Sequence, residues 1–107
     1  MKQYLVLLKG KYELDYSPIQ LRKRQTEFRE WVATIKDHYL SDNRLARYGA
    51  HIRKRNEVIT DGPFLDAKEI IAGFFVLQAT DLQQAIDISN TSPLLEYFEF
   101  FVRPIID

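Results

Sequence analysis

The sequence of 107 residues has no cysteine, only two histidines and no excess of charge of either sign. Without cysteine the chain cannot form disulfide bonds, use a thiolate nucleophile or hold a metal through sulfur. Its 15 lysines and arginines balance its 15 aspartates and glutamates, so the formal net charge is zero. Because proteins that bind nucleic acid usually carry a basic excess, we expect no nucleic acid among the partners.

Long apolar runs are also lacking. The run at the start, Tyr4 to Leu8, is far shorter than the roughly 20 residues that a membrane span needs. It leads directly into Lys9-Gly10-Lys11 and has none of the cleavage signal of a secretory leader, so it predicts a buried first strand. We therefore expect a cytoplasmic protein without a membrane partner.

Sequence motifs for cofactors are absent as well. The chain contains no glycine-rich phosphate loop, no histidine spacing typical of zinc sites and no nucleophile elbow. We therefore expect neither a cofactor nor a bound metal. What remains is an ordinary globular composition, with 46% hydrophobic and 28% charged residues. The length is typical of one domain, so the prediction is a single domain over residues 1–107.

A long first helix is predicted after Ser17. Ser17 can cap a helix, Pro18 suits the first helical position, and Gln20 completes a capping box. Apolar residues then recur at three- and four-residue spacing, at positions 21, 28, 31, 32, 35 and 39. We expect this helix to end near residues 41–43.

The rest of the chain predicts strands on either side of a second helix. The expected elements are a strand over residues 45–53, a short strand over 58–60, a long strand over 70–79, a helix capped by Thr80 or Asp81, and a last strand over 96–102. Asp61-Gly62-Pro63 ends the short strand, because glycine and proline both interrupt strands. Gly73 indicates a bulge or a close approach of two strands.

This order predicts an α+β fold of the ferredoxin-like kind, a split βαβ arrangement with an antiparallel sheet and both helices on one side. Three of the predicted strands are apolar on both faces, although the helices can cover only one face. The uncovered face would expose aromatic rings, with Phe74 or Phe75 and Phe101 among them. Because exposed apolar areas of that size usually mark a partner, we expect a homodimer.

The most distinctive segment begins with Asp61-Gly62-Pro63-Phe64 and continues with Lys68-Glu69 and Gly73-Phe74. Asp81-Leu82 and Val102-Arg103-Pro104 follow farther along the chain. This pattern resembles the YCII-related family in its DGPF-domain branch, over nearly the whole chain. The resemblance implies a ferredoxin-like domain that usually forms a dimeric α/β barrel.

The resemblance also bears on activity. Some members of this family are proposed to use a His–Asp pair whose histidine lies in the first helix. This sequence has no histidine before His38, and Asp42 is the residue that would align with the aspartate. A catalytic pair is therefore incomplete at the places where the resemblance implies one.

Two functions follow from these observations. The first is a small-molecule binding or regulatory module with its pocket at the dimer interface; proteins of the DGPF branch are often encoded beside extracytoplasmic-function sigma factors. The alternative is a cofactorless enzyme that performs acid–base elimination or hydrolysis, as dehydrochlorinase-like relatives do, with a His/Asp pair. The missing histidine in the first helix favours the binding module.

Candidate site residues come from the central part of the sequence and from the last strand. His51 and Arg53 lie two residues apart in a predicted strand, so both project from one face, which we expect to be the face without helices. Because imidazole can accept or donate a proton near neutral pH, His51 is a candidate catalytic residue, with Asp61 as its partner. The candidate ligand-binding residues are Arg53, Lys68, Glu69 and Arg103.

Basic groups in a partly dry cleft favour a small polar or anionic ligand, since desolvation strengthens charge-assisted hydrogen bonds. Structural roles for the same residues stay open. His51 can be an interface or surface histidine, and Asp61 can simply stabilise its own turn. Lys68 and Glu69 can form a surface ion pair of small energetic value.

Overall fold

The computed structural model describes residues 1–10, 17–46, 48–61 and 71–106. Within these ranges the elements are β1 (Lys2–Gly10), α1 (Pro18–Thr34), β2 (Tyr39–Arg44), β3 (Gly49–Lys54), β4 (Glu57–Asp61), β5 (Ile71–Ala79), α2 (Leu82–Ser89), a 3-10 helix (Pro93–Glu96) and β6 (Phe98–Pro104). No helix in this part of the chain is both long and apolar enough to cross a lipid bilayer.

Four of the strands form the main sheet, in the order β2-β5-β1-β6, and each neighbouring pair is antiparallel. The order of these four strands across the sheet, compared with their order along the chain, is that of a split βαβ fold. The predicted α+β, ferredoxin-like class is therefore confirmed. Strands β3 and β4 pair only with each other and form a separate hairpin between β2 and β5, which we call the arm (residues 49–61).

Helix α1 begins where its capping residues predict. The Ser17 hydroxyl accepts a hydrogen bond from the Gln20 backbone N–H at 3.2 Å, and the Gln20 side chain accepts one from the Ser17 N–H at 2.8 Å. Pro18 occupies the first turn, where its missing N–H costs no hydrogen bond. The second helix begins in a related way, because the Asp81 carboxylate accepts from the Gln84 N–H at 2.8 Å.

The predicted end of the first helix is wrong. Helix α1 stops at Thr34, and residues 39–44 form β2, an edge strand of the main sheet. The backbone N–H groups of His38 and Tyr39 both donate to the Ile35 carbonyl, which closes the helix in a turn. Strand β2 is polar and exists because it pairs with β5, a contact that no local pattern reveals.

One face of the main sheet is covered by both helices. Val6, Phe75 and Leu77 are at most 1% exposed there, and Trp31 packs against them from α1. From α2, Ala85 packs against the same face near β1. We call this the covered face.

The other face of the main sheet, the open face, carries the alternate residues of the same strands. Its apolar side chains stand opposite one another across β1, β5 and β6: Leu5, Leu7, Phe74, Val76 and Phe101. Phe101 is exposed on this face as expected, Phe74 is half-buried there, and Phe75 lies in the core. Because one chain is described, the dimeric barrel stays a prediction.

Candidate functional site

A groove of about 960 Å³ lies between α1 and the end of the main sheet where β2 ends and β5 begins. Its floor is formed by Leu8, Phe75 and Leu94, which are all buried. Phe28 of α1 and Phe98 of β6 add half-buried rings to the lining. The deepest part of the groove is therefore apolar.

The rim of the groove is basic. Four arginines line it, while two carboxylates, Glu30 and Asp42, oppose them, so the described lining carries an excess of two positive charges. Three of the arginines come from α1 and one from β2: Arg22, Arg24, Arg29 and Arg44. Because 3.6 residues make one helical turn, residues 22 and 29 stand two turns apart on the same side of α1.

Two of these arginines are held in place by described neighbours. The Arg29 guanidinium lies 3.3 Å from the Asp42 carboxylate, which also accepts a hydrogen bond from the Tyr39 hydroxyl. The Arg24 guanidinium stacks 5.2 Å from the centre of the Phe98 ring. Asp42 thus links the edge strand β2 to α1, and its carboxylate already accepts hydrogen bonds from two donors.

The other two arginines stand differently. Arg22 and Arg44 are exposed, and within the four described ranges neither side chain forms a hydrogen bond or an ion pair. Guanidinium groups present a planar set of donors that matches the two oxygens of a carboxylate or phosphate. Both groups are therefore available to an anion at the mouth of the groove.

Gly73 positions Arg44 at this end of the sheet. Arg44 and Gly73 face each other in the β2–β5 register. A Cβ atom at position 73 would lie 2.7 Å from the Asn43 carbonyl oxygen, which is closer than such contacts allow. The glycine therefore permits the close approach of the two strands, as its place in the sequence indicates.

The candidate residues from the sequence lie elsewhere. His51 and Arg53 are exposed on the arm, where Arg53 pairs with Glu57. Arg103 is exposed on β6 and donates to the Val102 carbonyl at 3.2 Å. None of these three residues lines the groove.

The remaining candidates belong to the DGPF-containing segment. Asp61 is the last residue of β4 and stands opposite Gly49, but its side chain is outside the described part. Lys68 and Glu69 fall outside the described residues altogether. The described chain resumes at Ile71, directly before Ala72 and Gly73, which line the groove.

The groove arginines were not predicted from the sequence, because most of them belong to the charged side of α1. Such a side usually indicates a solvated surface. The signal that could have found them is the repeat of arginine at residues 22 and 29 on one side of a helix. Among the described residues no group of three or more histidine, aspartate or glutamate side chains is placed to hold a metal ion. The expected absence of a metal stays a prediction.

Comparison with known proteins gives one family and several solved structures of similar fold, one of which is a dehydrochlorinase. The model of the YCII-related domain matches residues 16–107. The 5-chloro-2-hydroxyhydroquinone dehydrochlorinase TftG from Burkholderia phenoliruptrix AC1100, solved in complex with 2,5-dihydroxybenzoquinone, has a TM-score of 0.57 and 14% identity. The alignment covers 97% of this chain and 93% of that chain, and at this identity it shows a shared fold. No curated protein matches the chain.

Proposed function

This chain belongs to the YCII-related family, and from that premise we propose that it binds a small anionic molecule in the groove between α1 and the main sheet. The observation that carries the proposal is the basic rim over a buried apolar floor. Small-molecule sites commonly combine such a floor with a few polar groups and enclose roughly 300–1,000 Å³.

The lining also limits the class of ligand. Arg22 and Arg44 lack a partner among the described residues, so they can bind the oxygens of a carboxylate or phosphate. The floor of Leu8, Phe75 and Leu94 offers no hydrogen-bonding side chain, so it suits an apolar body. We therefore expect a compact carboxylate or phosphate ester with an apolar part, rather than a sugar or a free cation.

The experiment uses benzoate and inorganic phosphate as probes, with binding followed by NMR titration and by thermal shift. Wild-type protein should bind benzoate and gain thermal stability, because a ligand of the native state raises its melting temperature. Arg44→Gln should weaken binding at least about fivefold, in the range of one lost charge-assisted hydrogen bond. The matched control is Arg55→Gln, since Arg55 is an exposed arginine on the arm and outside the groove lining.

The same titration separates the groove from the site predicted around His51. If the ligand sits in the groove, His51→Ala should keep the ligand-induced stabilisation and Arg44→Gln should lose it. The opposite result would place the ligand with His51, Arg53 and their predicted neighbours. Unchanged affinity in Arg44→Gln would overturn the groove proposal.

For the partner, we propose that the chain forms a homodimer through its open face. Support comes from the apolar side chains on that face, which no described helix covers, such as the half-buried Phe74 and the exposed Phe101. Exposed apolar areas of that kind usually mark an interface. A pocket at the dimer interface that includes His51, Arg53, Asp61, Lys68, Glu69 and Arg103 stays a prediction.

The alternative function is a cofactorless enzyme of the dehydrochlorinase kind, and the shared fold with TftG is the observation that favours it. Elimination needs a group that removes a proton, and the described groove lining offers only Glu30 and Asp42. Asp42 is held by Tyr39 and Arg29, and no histidine belongs to the described lining. Chloride release from 5-chloro-2-hydroxyhydroquinone by wild-type protein, lost in Glu30→Gln, would favour the enzyme.

A further inference from the structure

The arm is the least covered part of the described chain. All six residues of β3 are exposed, and the arm strands pair with each other but not with the main sheet. An isolated two-stranded hairpin is at best marginally stable in water. A hairpin of this kind is usually stabilised by packing against another surface.

One face of the arm is apolar. Ile52 stands directly opposite Val58 in the β3–β4 register, and Tyr48 and Ala50 precede Ile52 at two-residue spacing. Ile52 is 66% exposed, although isoleucine is among the residues most often buried. The arm therefore presents an unpaired apolar stripe.

The tip of the arm is basic. Arg53, Lys54 and Arg55 are consecutive, and Glu57 is the acidic residue beside them. Glu57 accepts from Arg53 and lies 3.4 Å from Lys54. One carboxylate against three cations leaves the tip with two excess positive charges.

Helix α2 also carries exposed apolar residues flanked by charged residues, but these charges are acidic. Residues 80–102 contain four acidic residues and no lysine or arginine. On α2, Leu82 and Ile86 are exposed one turn apart, and the exposed Asp81 and Asp87 flank them. We call these four residues the α2 patch.

We propose that the arm of one copy of the chain docks on the α2 patch of a second copy. The apolar stripe with Ile52 and Val58 would cover Leu82 and Ile86, while the basic tip would face Asp81 or Asp87. Within its own chain, α2 packs mainly against β5 and β6. A two-fold symmetric pair forms the contact twice, because each copy supplies one arm and one patch.

This inference rests on the self-association proposed above, and it adds the surface of the second copy that the arm contacts. It is independent of the anion in the groove, because the arm and the α2 patch contribute no described residue to the groove lining. The charges would steer the two copies toward each other, so association should weaken as the salt concentration rises.

The first test measures the dimer dissociation constant by analytical ultracentrifugation. Wild-type protein should sediment at twice the 12.7 kDa chain mass. Ile52→Asp should raise the dissociation constant at least about tenfold, because a charge would enter the apolar contact. The matched control is Ile19→Asp, since Ile19 is 77% exposed but lies at the start of α1, outside both surfaces.

The second test addresses the receiving surface. Asp87→Lys reverses one charge of the α2 patch and should also weaken the dimer, whereas Asp37→Lys reverses an exposed charge elsewhere and should not. Circular dichroism spectra of all four variants should match wild type, which shows that the fold is intact.

The outcomes are distinguishable. A wild-type dimer that Ile52→Asp or Asp87→Lys leaves unchanged, or that the controls weaken equally, would overturn the docking of the arm on α2. A wild-type monomer at all accessible concentrations would overturn both the docking and the homodimer. Neither result would alter the binding of benzoate in the groove, which is measured separately.

Discussion

In β5 of the main sheet every second residue from Gly73 to Ala79 is buried, whereas in β3 of the arm all six residues are exposed. Both strands come from sequences that suit a strand, so local pattern does not explain the difference. What differs is the layer above them, because α1 and α2 cover β5 and no described helix covers the arm. Alternation defines a face, and burial of that face needs a second layer.

The charged residues of the arm and of the groove beside the main sheet differ in the opposite direction, because those of the exposed arm are the paired ones. On the exposed arm, Arg53 and Lys54 are both engaged by Glu57. On the rim of the groove, Arg22 and Arg44 have no partner among the described residues, although an apolar floor lies beneath them. A count of basic residues therefore does not locate an anion site, because the neighbours decide which charges are available.

The largest expected effect separates the covered face from the open face. Phe75 is 1% exposed, and its ring contacts those of Trp31 and Phe100 at centroid distances of 5.5 Å each. Phe75→Ala should lower the free energy of unfolding by about 3–5 kcal/mol, from lost burial and a residual cavity. Urea denaturation measures this change.

The matched control for that prediction is Phe101→Ala. Phe101 is 37% exposed on the open face, so its truncation should cost less than half as much. Both variants should be measured at several protein concentrations, because a dimer adds stability that depends on concentration. Equal losses at low concentration would show that the two faces are equally packed within one chain.

The next effect compares two glycines, one in each region. A Cβ atom at position 73 would meet the Asn43 carbonyl oxygen at 2.7 Å, whereas a Cβ atom at Gly49 would meet nothing within 4 Å. Gly73→Ala should therefore destabilise the protein by about 1–3 kcal/mol, as overpacking does. Gly49→Ala should stay within about 0.5 kcal/mol of wild type, since neither space nor backbone conformation opposes it.

Thermal and urea unfolding check both glycine variants. Gly73→Ala should also weaken benzoate binding, because a shift of β2 moves Arg44. If Gly73→Ala is as stable as wild type, the close approach of β2 and β5 is not required for the fold.

The elements that sequence reasoning placed well depend on local chemistry. The start of α1 follows from Ser17 and Gln20, three residues apart, and the start of α2 follows from Asp81. Strand β2 was missed because it forms through contact with β5, some thirty positions later in the chain. The same distance hid the arm, since residues 49–54 suit a strand wherever it pairs.

The candidate site was also hard to predict, because its residues come together through long-range contacts. His51 is a candidate because histidine is rare in this chain, but the rarity of a residue type does not predict its structural surroundings. The groove depends on long-range pairs, such as Arg29 with Asp42 and Gly73 with Asn43. Predictions on the segment from Gly62 to Glu69 lie outside the described residues, so they stay predictions.

The smallest expected effect asks whether the arm opens independently of the main sheet. Asn56, in the turn of the arm, has a φ of 66°, a left-handed conformation that glycine adopts at lower cost. Asn56→Gly should stabilise the arm by only about a few tenths of a kcal/mol, because asparagine tolerates this conformation better than most residues. Amide hydrogen exchange can resolve a change of this size in one part of the chain.

At low protein concentration the paired amides of the arm should exchange through local opening, much faster than those of β5, which need global unfolding. Asn56→Gly should slow exchange in the arm about twofold and leave β5 unchanged. The matched control is Asn90→Gly, because Asn90 has a φ of −65° and gains nothing from glycine. If the arm docks on a second copy, its exchange should also slow as the protein concentration rises. Arm amides that exchange as slowly as those of β5 in dilute protein would show that arm and sheet unfold as one unit.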